Sequence, residues 1–133
     1  MNELIWLLVF LIIIYFLLLW AWKRWWRKRW SKADLKLFAK NWQRIQAEKD
    51  LRMKILEADK LLDLMLKKRQ LKGSLADKLK MYGQNFSDLD GLWKAHKLRN
   101  KLAHELDFTV GLNQSKEAMN KFGQAFKDLG LLD

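Results

Sequence analysis

LWKAHKLRNKLAHELD, residues Leu92 to Asp107, is the stretch on which the fold turns. At 100° per residue, Leu89, Leu92, Trp93, Ala95, Leu98, Leu102, Ala103 and Leu106 fall on one broad apolar arc. Lys94, Lys97, Lys101 and Glu105 fall opposite, so the stretch predicts an amphipathic helix. Arg99 lies near the middle of the apolar arc, with His96 and Asn100 inside it and His104 at its rim. A buried guanidinium without a partner is costly. Arg99 must therefore meet a carboxylate, a partner chain or a ligand phosphate.

Around this helix lies a chain of 133 residues, 50% hydrophobic, with a formal charge of +11. The length fits one small domain and an extra segment. There is no cysteine, which excludes disulfides, thiolate metal sites and a cysteine nucleophile. With no proline, six glycines and abundant Leu, Lys and Ala, the expected class is all-α.

The extra segment is at the start. Leu4 to Trp22, LIWLLVFLIIIYFLLLWAW, carries no charge over 19 residues, and 14 of these are Leu, Ile, Val or Phe. At 1.5 Å each they match a hydrocarbon core of about 30 Å. Each contributes roughly −0.3 to −0.6 kcal/mol near the bilayer centre, so a single transmembrane helix over 1–22 is expected. A cleaved signal peptide would need a basic start and a small-residue cleavage site. Here Glu3 is the charge before the run, and Trp22, Lys23 and Arg24 follow it.

Residues 23–32 read as a juxtamembrane anchor. The basic residues Lys23, Arg24, Arg27, Lys28, Arg29 and Lys32 place the remainder of the chain in the cytoplasm and Met1 outside. Trp20, Trp22, Trp25, Trp26 and Trp30 suit the headgroup layer, where an indole buries its rings and wets its N–H. A basic and aromatic run also suits nucleic acid, because bases stack on Trp and phosphates meet Lys or Arg. Position favours the anchor on anionic lipid, since these charges cannot easily leave the membrane plane.

The remaining 33–133 predicts a helical bundle. Ser31 and Asp34 begin a helix carrying Leu35, Phe38, Trp42 and Ile45. Nothing between it and the span breaks a helix, so the two can be continuous; whether it is a stalk or part of the bundle is open. Its pattern loses phase at Gln46 to Asp50. A helix over Asp50–Lys72 follows, with Leu51, Ile55, Ala58, Leu62 and Met65 as its main face and Gly73 closing it. Ser74 to Tyr82 is a short helical piece, and Gly83 to Phe86 a turn. Ser87 with Asp90 caps the central helix. Asn113 caps the last helix, built on Ala118, Phe122, Ala125, Phe126 and Leu129, and Gly130 fits its C′ position with Leu131 folding back.

Arg99-Asn100-Lys101-Leu102-Ala103-His104 resembles the motif of the HEPN superfamily: arginine, four residues, then histidine, often with asparagine after the arginine. The longer phrase AHKLRNKLAHELDF, with EADKLLD upstream, is also similar to short single-span bacterial membrane proteins of unassigned activity. The resemblance covers roughly residues 50–132. It implies a small up-and-down helical bundle with the motif late in its third main helix. It also implies a homodimer whose motifs line one cleft, RNA as partner, and metal-independent endoribonuclease chemistry without a cofactor. In that reading Arg99 holds the scissile phosphate, His104 moves a proton and Asn100 positions one of them. Departing from the family's toxins, Leu106 stands where they often have tyrosine, and a membrane anchor is atypical of them.

The alternative is structural. Arg99 pairs with Glu57 or Asp59 across two helices, and Asn100 and His96 complete a buried network that sets register without chemistry. The protein is then an anchored interaction or RNA-binding module, or a structural accessory of a membrane-protein partner. The span lacks a small-xxx-small pattern, so any pairing is expected from the face around Arg99. Glu57, Asp59 and Asp63 form an acidic patch, ordinarily a solvated flank. His96 and His104 are about 12 Å apart along a helix axis, too far to share a metal. No zinc-protease motif or glycine-rich phosphate loop is present.

Overall fold

A computed structural model describes residues 1–25 and 30–133. The described residues form six α-helices and a short 3-10 turn, with no strand. Helix α1 spans Asn2–Trp25, α2 Lys32–Ala47, α3 Leu51–Lys68, α4 Leu75–Tyr82, α5 Leu89–His104 and α6 Leu112–Asp128. The interfacial positions Trp26, Arg27, Lys28 and Arg29 lie outside the described residues.

Helix α1 is long and apolar enough to cross a membrane: Asn2–Trp22 has a mean hydropathy of 3.0, and none of its most apolar stretch is buried inside the protein. A core helix of a water-soluble domain would be covered. Lys23, Arg24 and Trp25 continue this helix. It does not run on into α2, because Ser31 is extended and caps α2 by accepting from the Asp34 N–H.

Helices α2, α3, α5 and α6 pack around one core, and α3 touches each of the other three. Directions follow from the contacts at the ends. Lys68 pairs with Asp34 and Arg44 with Glu57, so α2 and α3 are antiparallel. Lys121 pairs with Asp88, and Ser87 bonds to Asp128, so α5 and α6 are antiparallel. Arg69 donates to the Leu129 carbonyl, which puts the last turns of α3 and α6 together. The bundle therefore has two ends. One holds Trp30, Arg69, Ser87 and Leu129; the other holds Ala47, Asp50, His104 and Leu112.

The core is where the apolar periodicity places it. Phe38, Ile45, Ile55, Ala58, Leu62, Met65, Leu92, Leu102, Ala118, Phe122 and Phe126 are buried. Helix α2 belongs to the bundle rather than forming a stalk: the Phe126 ring lies 4.9 Å from that of Phe38, tilted, and 5.0 Å from that of Trp42, edge to face, centroid to centroid. Trp30 adds a further tie, with its indole donating to Leu129 O at 2.7 Å under the Arg69 guanidinium.

Several helix ends differ from expectation. Helix α3 stops at Lys68, and the left-handed C′ residue is Gln70 (φ 66°), not Gly73. The Gln70 N–H reaches Lys67 O and the Leu71 N–H reaches Leu66 O, a Schellman ending without glycine. The cap of α5 is Asp88, which accepts from the Gly91 N–H; Ser87 is turned outward to Asp128. A Cβ at position 91 would run into the Asp88 carboxyl, so glycine leaves room for this cap. Helix α6 starts after Gly111, with no side-chain cap from Asn113. At its end Gly130 (φ 76°) makes the expected Schellman turn, with Leu131 N–H on Phe126 O. Helix α5 ends at His104, so Leu106 lies beyond the apolar arc and is 91% exposed.

Gln70 occupies a backbone region that costs an L-residue about 1 kcal/mol. Gln70→Gly is expected to raise stability by up to about that amount, read from urea unfolding of the detergent-solubilised chain.

Three carboxyls are held below the ordinary carboxylate range: Asp34 by Lys68 and Ser31, Asp77 by Ser74, and Asp88 by Lys121 and the Gly91 N–H. A lowered folded-state pKa stabilises above the ordinary value of 3.8, and that stabilisation is lost as pH falls through the folded value. The urea midpoint should therefore drop below about pH 4. Asp88→Asn should make that drop shallower.

Candidate functional site

The singled-out polar residues of α5 converge on one residue of α3. His96, Arg99 and Asn100 are spaced i, i+3 and i+4, so they share a face. Asp59 follows Ala58 on the packed face of α3 and is buried. His96 Nδ1 lies 2.7 Å from Asp59 Oδ1, and Arg99 Nε lies 3.3 Å from Asp59 Oδ2. The Arg99 contact is an ion pair; its Nε is shielded from solvent but not aimed for a hydrogen bond. Arg99 Nη1 donates to Asn100 Oδ1 at 3.0 Å, and Asn100 Nδ2 is 3.4 Å from His96 Nε2.

The four side chains thus close a ring. The donors and acceptors match along it when the imidazole is neutral with its proton on Nδ1. Arginine donates to the asparagine oxygen, the asparagine amide to Nε2, and Nδ1–H to the carboxylate. Trp93 packs its edge on the His96 ring at 6.0 Å.

The buried polar group of α5 is His96, at 7% exposure, rather than Arg99. The Arg99 side chain is 33% exposed, because its long stem carries the guanidinium towards solvent. Glu57 is not in the network. Two residues along a helix are 200° apart, so Glu57 points away from Asp59 and pairs with Arg44 at 3.0 Å. Asp59 itself is no solvated flank. Asp63 instead meets Lys78, whose ammonium is buried and lies 2.7 Å away. The sequence signal for Lys78 is its place beside Leu75 and Leu79 on a short apolar face.

His104 is exposed in the last turn of α5, and none of the hydrogen bonds or ion pairs among the described residues involves it. Five residues separate it from Arg99, which is 140° around the axis, so one chain does not aim both side chains at one point. Among the grooves lined by described residues, one of about 150 Å³ lies between α5 and α6, beside Lys94, Gln114 and Lys121. A second lies between α2 and α3 and a third beside Trp93 and Lys97, and these three are not lined by Arg99, Asn100 or His104. Among the described residues no three His, Asp or Glu side chains are grouped to share a metal ion.

Comparison with known proteins adds no relative: no family model, no curated protein and no solved structure matches the chain.

Removing the Asp59 carboxylate leaves His96 without its acceptor and Arg99 without its counter-charge. Asp59→Ala is expected to cost about 3 kcal/mol. Glu57→Ala removes one exposed pair and should cost less than about 1 kcal/mol. Urea unfolding followed by tryptophan fluorescence measures both.

Proposed function

We propose that the protein is a membrane-anchored helical interaction module of HEPN-like type, with α1 crossing the bilayer, Met1 outside and the bundle in the cytoplasm. The orientation rests on the basic residues that follow the apolar stretch of α1, including Lys23, Arg24 and Lys32. The observation that carries the module reading is the closed ring of Asp59, His96, Asn100 and Arg99. A guanidinium already committed to a carboxylate of its own chain and to a neighbouring amide is spent on helix register. Phosphate binding would need it free. The exposed surface of α5, with Lys94, Lys97 and Lys101, is then the face offered to partners.

A second reading is a metal-independent endoribonuclease formed by two chains. It is favoured by the one-third exposure of Arg99 and by the free, exposed His104 at the same end of the bundle. Their divergence within one chain means that a cleft would have to combine Arg99 of one protomer with His104 of its partner. Asn100 would release His96 to serve it. The two readings part on one assay. Under the module reading, the full chain in detergent micelles does not cleave single-stranded RNA in EDTA, and His104→Ala behaves like the parent. Cleavage by the parent that is lost in both folded Arg99→Ala and folded His104→Ala would replace the module with the nuclease.

A further inference from the structure

We propose that the end of the bundle bearing Trp30, the α3–α4 connector and the last turn of α6 is seated on anionic lipid headgroups through Lys32, Lys72 and Lys127. The inference rests on the reading of α1 as a membrane span.

The first argument is reach. From Trp25, the last residue of α1, to Trp30 there are five residue steps, at most about 18 Å even when fully extended. Trp30 is not a loose linker residue. Its indole is bonded to Leu129 O and covered by Arg69, whose Nη2 shares the same carbonyl. Lys68 adds a pair to Asp34 just beyond. The chain leaving α1 is therefore clamped to this end of the bundle, and the opposite end lies a helix length further on, about 25 Å.

The second argument is charge. Acids at the clamped end are engaged within the bundle: Asp34 with Lys68, Asp77 with Ser74, and Asp128 with Ser87 and Gln124. Lys32, Lys72 and Lys127 are exposed and form no ion pair with a described residue. Asp90 and Asp133 are the exposed acids left over. The opposite end is mixed, with Lys49, Arg52, Lys54, Lys101 and Lys116 beside Glu48, Asp50, Glu105, Asp107 and Glu117, so the tether rather than net charge selects the clamped end. A lysine near an anionic leaflet is drawn to it, and the attraction fades within a Debye length. Seating this end draws three free ammonium groups to the phosphates. It leaves Arg99, His104 and Leu106 pointing away from the bilayer.

The absence of cysteine allows clean labelling. Ala33 and Ala103 are exposed alanines at the clamped and opposite ends, near the start of α2 and the end of α5. The full chain, spin-labelled at Ala33→Cys or Ala103→Cys, is reconstituted in phosphatidylcholine–phosphatidylglycerol vesicles containing a nickel-chelating lipid. Resistance to alkaline carbonate extraction is checked first. The expected result is strong relaxation of the Ala33 label and weak relaxation of the Ala103 label. High salt or pure phosphatidylcholine should shrink the difference. Each Lys→Glu change at 32, 72 or 127 should lower the ratio of seated to unseated bundle at least about fivefold. Extraction by carbonate removes the span reading and this inference with it. A chain that stays inserted while both labels relax alike overturns the seat alone. So does a contrast indifferent to salt, lipid charge and the lysine reversals, because a short tether then explains it. Label–label broadening at Ala33 that grows with protein density would give the face to a second copy, and also overturns it.

Discussion

A single carboxylate, Asp59, sits between α3 and α5 with its side chain 4% exposed, and the arrangement of the bundle depends on its being met. Its two oxygens meet different groups of α5: one is hydrogen-bonded to His96 and the other is ion-paired with Arg99. Sliding α5 by one turn along α3, about 5.4 Å, would separate it from both. The result would be a buried charge without partners in a low-dielectric interface, which costs far more than the exposed pairs elsewhere could return. Since α3 also touches α2 and α6, its register with α5 conditions the packing of the rest.

The ring has a cost for chemistry. Arg99 lends its charge to Asp59, and Asn100 spans from Arg99 to His96. Groups held this way are ordered and partly shielded, which suits a fixed surface. A phosphate would have to displace contacts already made. His104 escapes the ring because it is eight residues from His96, about 12 Å further along the axis and in the final turn. The same sequence segment thus divides into a structural half and an exposed half.

The two ends of the bundle differ in kind. At one, tryptophan, arginine and a shared carbonyl tie the incoming chain to the last turns of α3 and α6. At the other, the connector after α5 exposes Leu106 and the start of α6 exposes Leu112. The helical periods of Phe38, Ile55, Leu92 and Phe122 anticipate the core between these ends, because burial of one face is a local property of spacing. Caps were harder to read. Ser87 and Asp88 are both good N-cap residues, and the choice fell to Asp88 because Lys121 and Gly91 meet its carboxyl while Asp128 takes Ser87. Neither Lys121 nor Asp128 is a sequence neighbour of that cap.

The sequence by itself determined the all-helical character, the apolar first helix and the face each later helix buries. These follow from side-chain type and from a period of 3.6 residues, both local. It also marked Arg99, His96 and Asn100 as polar groups in need of partners. Tertiary structure decided which partners they found: Asp59 rather than Glu57, and for His104 none among the described residues. It also drew α2 into the bundle through Phe126 and set Gln70 in a position that glycine usually fills. The physical reason is the same in each case. A helix's spacing states which side faces inward, but the rotation and offset of one helix against another emerge only when all the side chains between them are packed at once.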